Sequence, residues 1–185
     1  MAKSTAKNFQ EAVRTSFAMV TVLFVIEILD LVSPFSLDAF GIVPRTAPGL
    51  VGILFSPMLH ANFAHLIANA VPLFVLLILL FWDRHYYPVL TLSLIWFASG
   101  LGTWLIGRGG AVHIGASSII FGLVAYLIMA GLLMQSWRSA SVALIVFVFF
   151  GGIFYGIIPR NTPVSWEGHL SGMIAGFWAA RKNHL

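Results

Sequence analysis

The chain has 185 residues, 59% of them hydrophobic and 9% charged, with mean hydropathy +0.96 and formal net charge +4. A soluble domain is roughly half apolar and about one-quarter charged, and so short a chain cannot hide this much apolar surface, so lipid solvates most of it. Cysteine is absent, which excludes a disulfide framework, a thiol nucleophile and a thiolate metal site; the basic residues are scattered singly, which reports membrane topology rather than nucleic-acid binding.

A helix needs about 20 mostly apolar residues to cross the hydrocarbon core. Six stretches qualify in chain order: about 15–33, 62–82, 87–106, 115–134, 139–158 and 166–182. The first carries Glu27 and Asp30 in its second half and has no small-x-small cleavage site after it, so it reads as a retained helix rather than a signal peptide. Asp30 is expected near the outer boundary. The connection 34–61 is the longest; it holds four prolines and two apolar segments, GILF and FSPML, and is expected to lie partly in the membrane interface.

The domain reading is a tail at 1–14, a single six-helix domain at 15–182 and a second tail at 183–185. With the amino terminus inside, Lys3, Lys7, Arg14, Arg84, Arg138, Arg181 and Lys182 are cytoplasmic, against Arg45, Arg108 and Arg160 outside. That asymmetry obeys the positive-inside rule and puts both termini in the cytoplasm.

In this topology the second, fourth and sixth spans all start at the outer face, and their first turns hold the unusual polar residues. HANFAHLIAN supplies His60, His65 and Asn69, GASS supplies Ser117 and Ser118, and SWEGHLSG supplies Glu167, His169 and Ser171. Residues four apart, such as His65 and Asn69, share a helix face. Ionisable groups at membrane depth are costly and mark function by default. Gly168, Gly172 and Gly176 form a small-residue stripe, and Gly115, Ala116, Ser117 and Gly122 form a second patch. If the two face each other, close helix approach brings Ser117 and His169 within hydrogen-bond range. Taken singly, each residue has a plainer reading: serine and glycine as packing, histidine as an interfacial hydrogen-bonding group, asparagine as a bridge between helices.

Taken together, the set resembles the rhomboid family of intramembrane serine proteases: His60-x4-His65-x3-Asn69, then Gly115-Ala116-Ser117, then His169-x2-Gly172, in order and in a six-helix frame. The resemblance implies an all-α integral membrane protein, a six-transmembrane-helix rhomboid-like bundle. It implies Ser117 as nucleophile and His169 as general base and then general acid, a dyad without an acidic third member. His65 and Asn69 would bind the oxyanion, with Gly115 in the nucleophile motif and His60 stabilising the loop. Phe121, one turn below Ser117, is placed to stack on the His169 ring. Glu167, two residues before His169, should point elsewhere on the helix. His113 has two readings, a hydrogen bond within its own loop or contact with substrate.

Two departures stand out. Ser118 follows the nucleophile where many members have glycine, and Val51-Gly52 occupies the place of a Trp-Arg pair in the first loop. The expected partners are membrane-protein substrates and the bilayer, with no cofactor, metal or nucleic acid, and the expected location is a bacterial inner membrane. The competing readings are a rhomboid-like protein that binds membrane helices without cutting them, a transporter or channel using the polar cluster as a pathway, with Glu27 and Asp30 as its best support, and a zinc site from His60, His65 and His169.

Overall fold

A computed structural model describes residues 2–159 and 164–185, with side chains from Lys7 onward. Lys3 and Arg160, used above for orientation, fall outside the described side chains. Among the described residues there are seven α-helices and no strand: α1 (Ala2–Val32), α2 (Ala47–Phe55), α3 (Phe63–Trp82), α4 (Pro88–Ile106), α5 (Ser117–Leu133), α6 (Trp137–Phe150) and α7 (Trp166–His184). Among the described residues four helical segments are long and apolar enough to cross a membrane: Lys7–Val32, Phe63–Trp82, Arg84–Ile106 and Trp137–Ile157. Ser117–Leu133 is apolar but shorter.

Three boundaries differ from the sequence reading. The helix of the first span begins at Ala2, so the stretch ahead of residue 15 is helical. The α-helix of the fifth span stops at Phe150 and continues as a 3-10 helix over Gly151–Ile157; the Gly151-Gly152 pair is where α-helical order is weakest. The long first loop contains a helix of its own, α2, capped by Thr46, whose hydroxyl accepts the Gly49 N–H at 3.1 Å, with Pro48 in the first turn.

The core is built around α5. From Ile119 to Leu127 every residue is buried, on all faces of the helix, the pattern of a helix enclosed by others. It touches α3, α4, α6 and α7. Leu66, Leu76, Leu77 and Leu80 of α3 and Ile95 of α4 join this cluster. The closest approach is between α5 and α7: a Cβ on Gly172 would collide with the Ser118 carbonyl, and one on Gly176 with that of Gly122. Gly168 instead faces its own cap, Ser165, and Thr103 of α4.

The first loop is fastened to the rest by side chains. The Arg45 guanidinium donates from Nη1 to the Leu105 and Gly107 carbonyls, both at 2.9 Å, closing the end of α4. Trp104 Nε1 donates to Thr46 O at 2.8 Å, and Trp96 Nε1 to Ile53 O at 3.0 Å. Asp30 accepts the Leu37 N–H at the far end of α1. The α1 helix packs on α3 and buries Ala12, Ser16, Leu23 and Glu27 along one stripe.

Candidate active site

Ser117 is the first residue of α5 and His169 lies in the first turn of α7. The glycine contacts between these helices bring the two side chains together, with Ser117 Oγ 3.0 Å from His169 Nε2. The other ring nitrogen, Nδ1, is 3.0 Å from the Gly156 carbonyl oxygen. A carbonyl only accepts, so Nδ1 carries the proton and Nε2 presents its lone pair to the serine hydroxyl. The Phe121 ring stacks on the imidazole with centroids 4.0 Å apart and planes 11° from parallel. One face and one edge of the ring are thereby fixed without a carboxylate.

Glu167 is engaged elsewhere: its Oε1 lies 3.1 Å from Arg108 Nε, and its side chain is 1% exposed. Gly156 has a second constraint, since a Cβ there would sit 2.7 Å from Phe121 Cζ and 3.1 Å from His169 Nδ1.

Facing the serine are Gly115, His65 and Asn69. Gly115 adopts φ +109°, a conformation open to glycine, and a Cβ at this position would sit 2.8 Å from His65 Cε1. Asn62 caps α3 by accepting the His65 N–H at 2.9 Å. Asn69 uses one amide hydrogen on the His65 carbonyl at 2.8 Å and keeps the other. The first backbone bond of α5 runs from Ile120 N–H to Ala116 O at 3.1 Å; the N–H groups before it, including that of Ser117, lack an intrahelical acceptor.

His60 lies behind this wall. Its Nε2 accepts the Ala116 N–H at 3.4 Å, and its ring meets that of His65 edge-on, 5.2 Å between centroids. Burial, reinforced by the neighbouring His65, pushes its pKa down to about 4. His60 is therefore neutral at pH 7 and serves as an acceptor just ahead of Ser117.

His65, Asn69, Ser117, Phe121 and His169 line one cavity of about 550 Å³, which also reaches His113 and Ser165. Among the described residues no group of three or more His, Cys, Asp or Glu is arranged to hold a metal ion. The arrangement has what acyl transfer requires: a hydroxyl on a base, the base oriented from behind, spare donors opposite, and space for a peptide. Two contributors escaped the sequence reading. Gly156 acts through its carbonyl, which every residue type has, so composition gives no signal for it. The His113–Ser165 contact, 2.6 Å between Nδ1 and Oγ, joins positions 52 residues apart.

The sequence profile of the Rhomboid domain family matches residues 48–183. An uncharacterized protein of Mycobacterium tuberculosis is 41% identical over 174 residues, spanning 90% of this chain and 72% of its own length. An uncharacterized protein of Mycobacterium leprae is 36% identical over 174 residues, covering 90% and 69%. A putative rhomboid protein of Acanthamoeba polyphaga mimivirus is 29% identical over 141 residues, covering 72% and 75%. The apolar helices and these relationships together make this a multi-pass integral membrane protein. It belongs to the rhomboid family.

Proposed function

We propose that the protein is an intramembrane serine endopeptidase that cleaves membrane-spanning proteins near the outer face. The observation that carries this reading is the Ser117–His169 contact with the imidazole tautomer set by Gly156 O. In the first half-reaction His169 Nε2 takes the Ser117 proton while Oγ bonds to the scissile carbonyl carbon. The resulting oxyanion is held by His65, Asn69 and the free N–H groups at the head of α5. His169 then gives its proton to the leaving amine as the C–N bond breaks, leaving an acyl-serine. Water, deprotonated by His169, attacks that ester, and the proton returns to Ser117 as the acid departs.

The bundle would span the membrane six times, with residues 15–182 as one domain and both termini in the cytoplasm. The distribution of lysine and arginine supports this orientation, and a bacterial inner membrane is the proposed location. Water reaches the site from the outer face, and the substrate helix must unwind there to expose a carbonyl. Small or helix-breaking residues near the cut are accordingly expected in substrates.

Labelling by a serine-reactive fluorophosphonate tests the proposal. Wild type should label, Ser117→Ala and His169→Ala should not, and cleavage of a reconstituted single-span substrate should follow the same order. A folded wild type that binds membrane helices yet neither labels nor cleaves would establish the competing reading, a rhomboid-like binding protein without catalysis. Labelling that survives Ser117→Ala would remove that residue as nucleophile.

A further inference from the structure

Residues 107–116 deliver Ser117, and the first turn of α7 delivers His169. These two segments are tied to each other four residues ahead of each group. His113 Nδ1 lies 2.6 Å from Ser165 Oγ, and His113 Nε2 lies 3.4 Å from the Arg108 carbonyl. The His113 backbone is itself held, exchanging hydrogen bonds with Ile42 of the first loop at 2.8 and 2.9 Å. Ser165 is the cap of α7: its hydroxyl oxygen accepts the Gly168 N–H at 3.1 Å, and its carbonyl accepts the His169 N–H at 3.2 Å. Any displacement of Ser165 is therefore passed directly to His169.

Arg108 adds a parallel tie across the same gap, donating to Val164 O at 2.7 Å and pairing with the buried Glu167. Burial holds the His113 ring below the ordinary histidine range. In its neutral form, Nε2–H donates to Arg108 O and Nδ1 accepts the Ser165 hydroxyl proton, leaving the Ser165 oxygen free for its capping role.

We infer that His113 and Ser165 are positioning residues that set the Ser117–His169 separation by clamping the loop before the nucleophile to the helix that carries the base. This deepens, and rests on, the assignment of Ser117 and His169 as the reacting pair. Neither clamp residue touches that pair's reacting atoms; both act through the backbone that holds it. The three links – Ile42 to His113, His113 to Ser165, Ser165 to His169 – give the first loop a continuous route to the general base.

The test is a double-mutant cycle on the full chain in detergent and in liposomes, reading fluorophosphonate labelling rate, kcat and KM for a single-span substrate, and thermal midpoint. His113→Ala and Ser165→Ala should each slow labelling and lower kcat about tenfold with KM nearly unchanged, the scale expected from a small misplacement of reacting groups. The double variant should be no worse than the worse single one, because either substitution already breaks the His113–Ser165 link; Ser165→Ala, which also loses the cap bond to the Gly168 N–H, should be the worse of the two. His113→Asn, whose Oδ1 occupies the place of Nδ1, should recover most of the rate, whereas His113→Gln should not.

Additive losses, a change confined to KM, or equal rates for the Asn and Gln variants would overturn the clamp while leaving the dyad intact. Should the alanine variants not fold, the Asn-against-Gln comparison decides alone. A wild type that does not label would overturn the dyad and the clamp together.

Discussion

The two ends of the helical bundle treat their polar groups differently. At the end where α7 finishes, the buried polar groups around Tyr126 close on one another. Tyr126 O–H donates to Tyr86 O at 2.7 Å and Thr91 O–H to the same carbonyl at 2.6 Å. Asn183 Nδ2 donates to Thr91 Oγ1 at 2.8 Å, and His184 Nε2 meets the Tyr126 hydroxyl at 3.1 Å. At the other end, Ser117, His65 and Asn69 face open space and keep hydrogen-bonding capacity in reserve. A buried network that satisfies itself specifies a structure. Groups held rigid but left partly unsatisfied can stabilise charge that appears only during a reaction. Substitutions at the two ends should therefore separate activity from stability.

Beyond Ser117 and His169 themselves, the largest effect should come from the reserve donor. Asn69→Ala removes the remaining amide hydrogen from the cavity wall together with the bond to the His65 carbonyl. By comparison with loss of a single oxyanion donor, kcat should fall about 10²–10³-fold. Single-turnover cleavage of a reconstituted substrate measures this, and the fluorophosphonate should still reach Ser117, more slowly. A kcat within twofold of wild type would mean that the open end is not a charge-stabilising site, and the contrast between the ends would lose its functional meaning.

An intermediate effect on both properties is expected at the seam joining the two ends. Gly172→Ala puts a methyl group into the Ser118 carbonyl, so α5 and α7 must separate. Overpacking of this kind costs about 1–3 kcal/mol, and the same separation lengthens the Ser117–His169 contact. The thermal midpoint and the labelling rate should fall together. A lower midpoint with an unchanged rate would show that the dyad distance does not depend on this backbone contact.

How much of this was readable beforehand depends on whether the signal was local. Apolar runs mark the long helices because lipid imposes length and composition on consecutive residues. The short helix α2 went unread inside a proline-rich loop, although Thr46 and Pro48 form an ordinary helix start. His65, Asn69, Ser117 and His169 stood out as polar residues within the first two turns of their helices, and the family resemblance supplied their expected roles. Gly156 could not, since its contribution is a backbone carbonyl reached through the fold. Glu167 was expected to point away from His169, but its partner, Arg108, was visible only as a topology marker. Pairings between distant segments, His113 with Ser165 above all, leave no trace in local pattern.

The smallest effect should appear at the closed end. Tyr126→Phe keeps the buried ring and removes the hydroxyl that joins Tyr86 O, His184 and Asn183. Tyr86 O retains the Thr91 hydroxyl, so its carbonyl is not orphaned. The loss is then that of an ordinary hydrogen bond, about 1 kcal/mol, read as a modest drop in thermal midpoint. Labelling rate and kcat should match wild type, because α5 and α7 still meet at Gly172 and Gly176, between this network and the dyad. A loss of kcat without a loss of stability would reverse the assignment: the closed end would then be coupled through α7 to the pair proposed to react, and satisfaction of polar groups would not distinguish structural from chemical regions of this protein.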